Sequence, residues 1–136
     1  MRLVDDSITK VFHTFVAKAL FATKISRPDI HTAVAFLTTR VRGPNEDNWR
    51  KLLRLMQYLI NTTDMPLTLR ADGTNIVKWW VDGYYAVHLE MRSQTGGTTS
   101  LGKGVIISTS IKQKMNMKRS TATELIAAVE LMPHIL

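Results

Sequence analysis

The sequence predicts an α+β fold in which helices come first and strands follow. Apolar residues recur at three- and four-residue spacing through residues 10–60, which is typical of amphipathic helices. A turn-rich break at residues 71–75 ends that pattern. Beyond the break, β-branched and aromatic residues alternate by twos, and a further helical pattern follows near the end of the sequence.

The helical half predicts three helices, over residues 10–23, 28–41 and 45–60. Pro28 suits the first position of the second helix, because the backbone N–H that proline lacks has no partner there anyway. Gly43, followed by a proline, ends that helix.

The half that follows the break predicts a three-stranded antiparallel meander and then a helix over 120–132. Its strands are expected near 76–82, 95–101 and 105–108. Since the periodicity changes at the break, we place a domain boundary there. The domains are then 1–70 and 71–136.

The first of these strands ends in Asp82. Trp79 and Trp80 make both of its faces bulky, so we expect a central strand that is covered on two sides. A carboxylate buried in such a place is costly unless it is paired, and a metal ion is one such partner.

A second carboxylate, Glu124, lies 42 residues after Asp82 and within the predicted first turn of the last helix. A helix that packs across the meander would bring the two side chains together. Converging carboxylates in basic surroundings suit Mg²⁺, a hard ion that prefers oxygen ligands. The alternative is structural: Glu124 as a favourable first-turn charge and Asp82 as a satisfied turn residue.

The chain is basic, with a net charge of +7 and a pI of about 10.0, which favours a polyanionic partner over an inert basic surface. Residues 91–123 contain no acid. Candidate phosphate contacts, which are otherwise solvated charges, are Arg50, Lys51 and Arg54 on the third helix, and Lys112 and Lys114 after the last strand.

Several classes of protein are disfavoured by composition. The sequence has no cysteine, so it forms neither disulfides nor thiolate metal sites. It has no apolar run of the roughly 18 residues that span a bilayer. Its first ten residues lack the features of a secretion signal, so we expect an intracellular protein without a membrane partner.

Longer segments of the sequence closely resemble copia-type retrotransposon Pol polyproteins, collinearly from Phe12 to Leu136. One group resembles the C-terminal end of the reverse transcriptase, and the other the start of the ribonuclease H domain that follows it. The first group comprises Phe12–Phe21, Arg27-Pro28-Asp29-Ile30 with its continuation to Val34, and Trp49–Leu59; the second comprises Trp80–His88, Ser93-Gln94-Thr95-Gly96-Gly97 and Ser120–Leu125.

The resemblance implies a helical, thumb- or connection-like segment over 1–70 and a partial ribonuclease H-like domain over 71–136. It makes Asp82 the first metal-binding carboxylate and Glu124 the second, with Mg²⁺ as cofactor and an RNA–DNA hybrid as substrate. The family uses further acids, and we expect the chain to end before they occur. It also implies a cytoplasmic or virus-like-particle location.

Three functional hypotheses follow. The first is a polyprotein fragment whose ancestral activity, reverse transcription with Mg²⁺-dependent RNA cleavage in RNA–DNA hybrids, is lost in the isolated chain. The second is a basic module that binds nucleic acid without cutting it, and the third is a degenerate remnant without function. A truncated sheet leaves an open edge and an apolar helix face, so we also expect self-association.

Overall fold

The chain divides into two compact units, residues 1–67 and 68–136, in a computed structural model that describes residues 5–88 and 90–134. The first unit is helical, and the second combines strands with one helix. The α+β class predicted from the sequence is therefore confirmed. None of the helices in the described ranges is both long and apolar enough to cross a membrane.

The first unit contains three helices: α1 (Asp6–Ile25), α2 (His31–Thr38) and α3 (Glu46–Asn61). A 3₁₀ turn, Pro28–Ile30, leads into α2. Asn45 caps α3 because its side chain accepts a hydrogen bond from the backbone N–H of Asn48, at 2.9 Å, and the Asn48 side chain accepts one in return. α2 ends three residues earlier than the sequence predicts.

The interior of the first unit is a hydrophobic core shared by its helices. Phe12 and Trp49 meet there with ring centroids 6.2 Å apart. The buried members are Phe12, Val16, Ala19, Ile30, Val34, Leu37, Leu52 and Leu55.

Arg27 ties the start of α2 to the end of α3. Its guanidinium donates to both carboxylate oxygens of Asp29, at 2.9 and 3.0 Å, and to the backbone oxygen and hydroxyl of Thr62, at 3.1 and 2.7 Å. The Tyr58 hydroxyl donates to Asp29 from 3.0 Å. These hydrogen bonds, led by that from Arg27, hold the pKa of Asp29 below its usual 3.8.

The second unit contains the predicted antiparallel meander. Its strands are β2 (Lys78–Tyr84), β3 (Gln94–Ser100) and β5 (Ile107–Lys112), in the order β2-β3-β5. Two short strands, β1 (Arg70–Ala71) and β4 (Gly102–Lys103), form a separate antiparallel pair that the sequence did not predict.

The central strand of the meander is β3, not β2. The expectation that the strand carrying Asp82 is central and covered on both faces is therefore wrong. Trp80 is 53% exposed, and Asp82 is exposed as well. β3 takes the central place because it is the middle strand of the meander and pairs antiparallel with β2 along one edge and with β5 along the other.

That helix is α4 (Ser120–Leu131), which packs on β2 and β3. Its buried residues are Thr123, Ala127 and Leu131. Glu124 lies beyond the first turn of this helix, which holds no acid, so the expectation of a first-turn charge is wrong. Arg119 holds the N-cap position without a side-chain hydrogen bond.

The first testable prediction concerns pH. His31 is only 6% exposed, and its burial, with the nearby charge of Lys24, lowers its pKa from the usual 6.5. On acidification, His31 therefore binds a proton at a higher pH in the unfolded chain than in the folded one. The free energy of unfolding of the first unit then falls as the pH drops below about 6.5. We expect urea midpoints, followed by NMR signals of α1–α3, to fall between about pH 7.5 and pH 5.

Replacing His31 with glutamine should flatten this dependence. Replacing His13, which is exposed on α1, should leave it in place. A slope that survives His31→Gln would show that another group causes it.

The second prediction concerns self-association. The outer face of α4 presents Leu125 and Val129, which are 66% and 58% exposed, and Met132 directly after the helix is 51% exposed. β2 pairs with β3 alone among the described strands. We expect light scattering to detect oligomers whose fraction rises with concentration. The double variant Leu125→Gln/Val129→Lys should reduce them.

Ile60→Lys is the matched control, because it removes an apolar side chain that is 70% exposed in the other unit. A wild-type chain that stays monomeric at high concentration would contradict the prediction.

Candidate functional site

Asp82 and Glu124 are carried by two chain segments in backbone contact. Asp82 is followed by Gly83, which packs against α4. A β-carbon built on Gly83 would lie 2.7 Å from the carbonyl oxygen of Thr123 and 3.0 Å from the Cα of Glu124. Only glycine allows this approach. The structure therefore brings the strand of Asp82 against the helical turn of Glu124.

A second close approach lies further along α4. A β-carbon on Gly97 of β3 would overlap the Leu131 side chain. β3 keeps its pairing with β2 and β5 through Gly96 and Gly97 without a bulge. Gly97 therefore allows close packing of the helix, whereas a β-carbon added to Gly96 would meet no atom of α4.

A buried glutamine fixes the beginning of α4 on the sheet. Gln113 follows β5, and its side-chain amide donates to Thr95 Oγ1 and to the Thr123 carbonyl oxygen, both at 3.0 Å. Its backbone N–H donates to the Ser93 carbonyl at 2.9 Å. The hydroxyls of Ser93 and Thr123 lie 3.2 Å apart, within hydrogen-bonding distance. The carbonyl that Gln113 binds is the same one that Gly83 contacts.

Asp82 and Glu124 are both exposed, and neither carboxylate has a hydrogen bond or ion pair within the described residues. Both carboxylates are therefore free to bind an external ligand. The other acids of the second unit are engaged: Asp72 binds Lys78, Glu90 binds Lys112 at 3.0 Å, and Glu130 accepts from Thr95 Oγ1 at 2.8 Å.

Two free carboxylates on adjacent segments provide the hard oxygen donors that Mg²⁺ prefers. The donor set thus fits the predicted ion in kind, although not in number. Across the ranges that the structure describes, no group of three or more histidines and acids is placed to hold a metal.

The predicted basic contacts fall in both units. Arg50, Lys51 and Arg54 lie on α3 of the first unit, where Lys51 pairs with Asp47 at 2.8 Å. Lys112 and Lys114 belong to the second unit, where Lys112 pairs with Glu90. Of the five, the exposed side chains without an ion pair among the described residues are Arg50, Arg54 and Lys114.

Sequence reasoning missed Gln113, which lies between two of the candidate lysines in Lys112-Gln113-Lys114. Its burial has no periodic signal, because it follows a strand end. It also missed the cluster of Arg27, Asp29 and Tyr58, whose members are up to 31 positions apart.

The third prediction tests the contact at Gly83. Gly83→Ala should lower the unfolding free energy of the second unit by about 1–3 kcal/mol, because the added methyl group meets backbone atoms that cannot move alone. Urea unfolding followed by Trp79 and Trp80 fluorescence, in a Trp49→Phe background, measures this.

Gly96→Ala is the matched control on the paired strand. There the nearest atom to an added β-carbon is the Asp82 carbonyl oxygen, at 4.0 Å. Equal stabilities for the two variants would mean that the backbone contact does not constrain α4.

Comparisons with known proteins find similarity to transposon polyproteins and to one effector. The Secreted RxLR effector protein 161 of Plasmopara viticola is 28% identical over 116 residues, 85% of this chain and 82% of that protein. The Retrovirus-related Pol polyprotein from transposon RE2 of Arabidopsis thaliana is 31% identical over 100 residues, 73% of this chain and 7% of that protein.

A further polyprotein, from transposon TNT 1-94 of Nicotiana tabacum, is 28% identical over 120 residues, 88% of this chain and 9% of that protein. The chain thus spans less than a tenth of either polyprotein. No protein-family model matches it, and no solved structure matches it significantly. The similarities support a transposon-derived protein.

Proposed function

We propose that the chain is a retrotransposon polyprotein fragment whose second unit derives from a ribonuclease H-like domain. Its ancestral reaction is Mg²⁺-dependent cleavage of RNA in an RNA–DNA hybrid, within reverse transcription. Asp82 and Glu124 are the remaining metal-binding carboxylates. The isolated chain retains weak metal binding and does not cleave.

The observation that carries this proposal is the contact of Gly83 with the backbone of Thr123 and Glu124. It places the two acids on adjoining segments, in a unit where the other acids are engaged by partners. The structural alternative has less support, because Glu124 lies beyond the first turn of α4 and Asp82 lies within β2 instead of a turn.

The chemistry requires that an ion and a scissile phosphate be held together. Bound Mg²⁺ supplies a Lewis acid that stabilises charge developing on the phosphate oxygens. Asp82 and Glu124 contribute negative oxygen ligands, and the Gln113 contacts to α4 keep the turn of Glu124 in place. These residues bind and orient, and none of them is positioned as a nucleophile.

The proposed loss of RNA cleavage follows from the small number of acids that are free to bind the metal ion. Glu130 is the one acid after Glu124, and its carboxylate accepts a hydrogen bond from Thr95 on the sheet side of α4. It is therefore committed to packing. Two carboxylates leave most of the coordination sphere of Mg²⁺ to water, so the ion is held weakly.

The proposed polyanionic partner is an RNA–DNA hybrid, with phosphate contacts from Arg50 and Arg54 in the first unit and Lys114 in the second. These are the exposed members of the predicted basic set that lack an ion pair within the described ranges. Such contacts release counterions, so the affinity should fall steeply with salt. Lys51 and Lys112 contribute less, because each is already paired.

The fourth prediction tests the site directly. We expect no cleavage of an RNA–DNA hybrid by the wild-type chain with either Mg²⁺ or Mn²⁺. We also expect Mn²⁺ to broaden the amide NMR signals around residues 82 and 124, because a paramagnetic ion relaxes nearby nuclei. Asp82→Asn and Glu124→Gln should each weaken that broadening.

Asp64→Asn, which removes an exposed acid from the first unit, should leave the broadening unchanged. Hybrid cleavage that Asp82→Asn abolishes would overturn the proposed loss of activity. Broadening that is indifferent to both site variants would overturn the metal assignment.

A further inference from the structure

The first unit has a groove that the proposed function does not use as a ligand site. It lies between α2 and α3 and has a volume of about 620 Å³. Cavities of roughly 300–1,000 Å³ accept small organic ligands. The lining residues are Asp29, Ile30, Thr32, Ala33, Phe36, Leu37, Lys51, Arg54, Leu55 and Tyr58.

The body of the groove is apolar and aromatic. Ile30, Leu37 and Leu55 are buried core residues that lie beneath its floor. Phe36 and Tyr58 add aromatic rings. Such a surface favours a flat apolar molecule, because contact between the groove and the molecule removes apolar area of both from water.

The acid in the lining does not repel an anion strongly. Asp29 is the lining carboxylate, and the Arg27 guanidinium binds both of its oxygens. The Tyr58 hydroxyl donates to it as well. Asp29 therefore belongs to a neutral pair.

The cations in the lining differ in their availability. Lys51 pairs with Asp47 at 2.8 Å and lies 4.9 Å from the centre of the Phe36 ring. Arg54, three positions further along α3, has no carboxylate partner within the described residues. An exposed guanidinium thus borders an apolar groove, and its planar fork suits a carboxylate, sulfonate or phosphate.

We propose that this groove binds a free small organic anion with a flat apolar body and one anionic group. The body lies against Ala33, Phe36 and Tyr58, and the anionic group contacts Arg54. The complementarity is twofold, because the lining joins an apolar floor to an unpaired positive charge. The inference concerns the first unit and is independent of the carboxylate site.

A pair of fluorescent probes tests the two halves of the proposal separately. The anion 8-anilinonaphthalene-1-sulfonate and the neutral N-phenyl-1-naphthylamine share an aromatic body and differ in the sulfonate. We expect the anion to bind more tightly, with NMR shifts at α2 and α3. Arg54→Ala should weaken its binding about fivefold while leaving the neutral probe unaffected.

Arg50→Ala is the matched control, since Arg50 lies one turn away on α3, is exposed and does not line the groove. It should leave the binding of both probes unchanged. Ala33→Phe, which fills the groove from α2, should abolish binding of both probes while circular dichroism stays that of the folded chain.

Three results would overturn the proposal. One is equal affinity for the two probes. Another is an NMR footprint on the exposed face of α4 instead of α2 and α3. A third is anion binding that survives Ala33→Phe, which would place the probe outside the groove.

Discussion

The second unit depends on the way one helix is held against a sheet that offers little apolar surface. Its buried groups include Thr95, Thr123 and Gln113, while Ala127 and Leu131 are the buried apolar residues of α4. Hydrogen bonds to a buried amide are directional and are costly to leave unmade. The position of α4 is therefore set more by these directional hydrogen bonds than by the apolar area that the helix buries. The position of Glu124 relative to β2 follows from them.

Local signals predicted much of the first unit, because the capping and breaking residues act within a few positions of the boundaries that they determine. Asn45 caps α3 through Asn48, three residues away. The face of α4 could not be found in this way. Leu125, Val129 and Met132 make the more apolar stripe, yet Thr123 and Leu131 face the sheet, because the glycines of β2 and β3 admit the helix closely on that side.

The contact between the segments that carry Asp82 and Glu124 was predictable in part. The resemblance identified Asp82 and Glu124. A helix that follows an antiparallel meander can pack across it, so the sequence also predicted that these two residues lie near each other. Their exposure was not predictable, since the aromatic neighbours of Asp82 indicated a covered strand. The pairing of Lys51 with Asp47 and of Lys112 with Glu90 likewise depends on side-chain positions. These ion pairs distinguish the two lysines from the predicted cations that have no carboxylate partner among the described residues.

The glycine at position 83 has a consequence for the tolerance of the chain to mutation. Every missense change of a glycine codon adds a β-carbon, and at this position any β-carbon meets the backbone of α4. Conservative and radical replacements are therefore both expected to destabilise the second unit, because they share the atom that makes the contact.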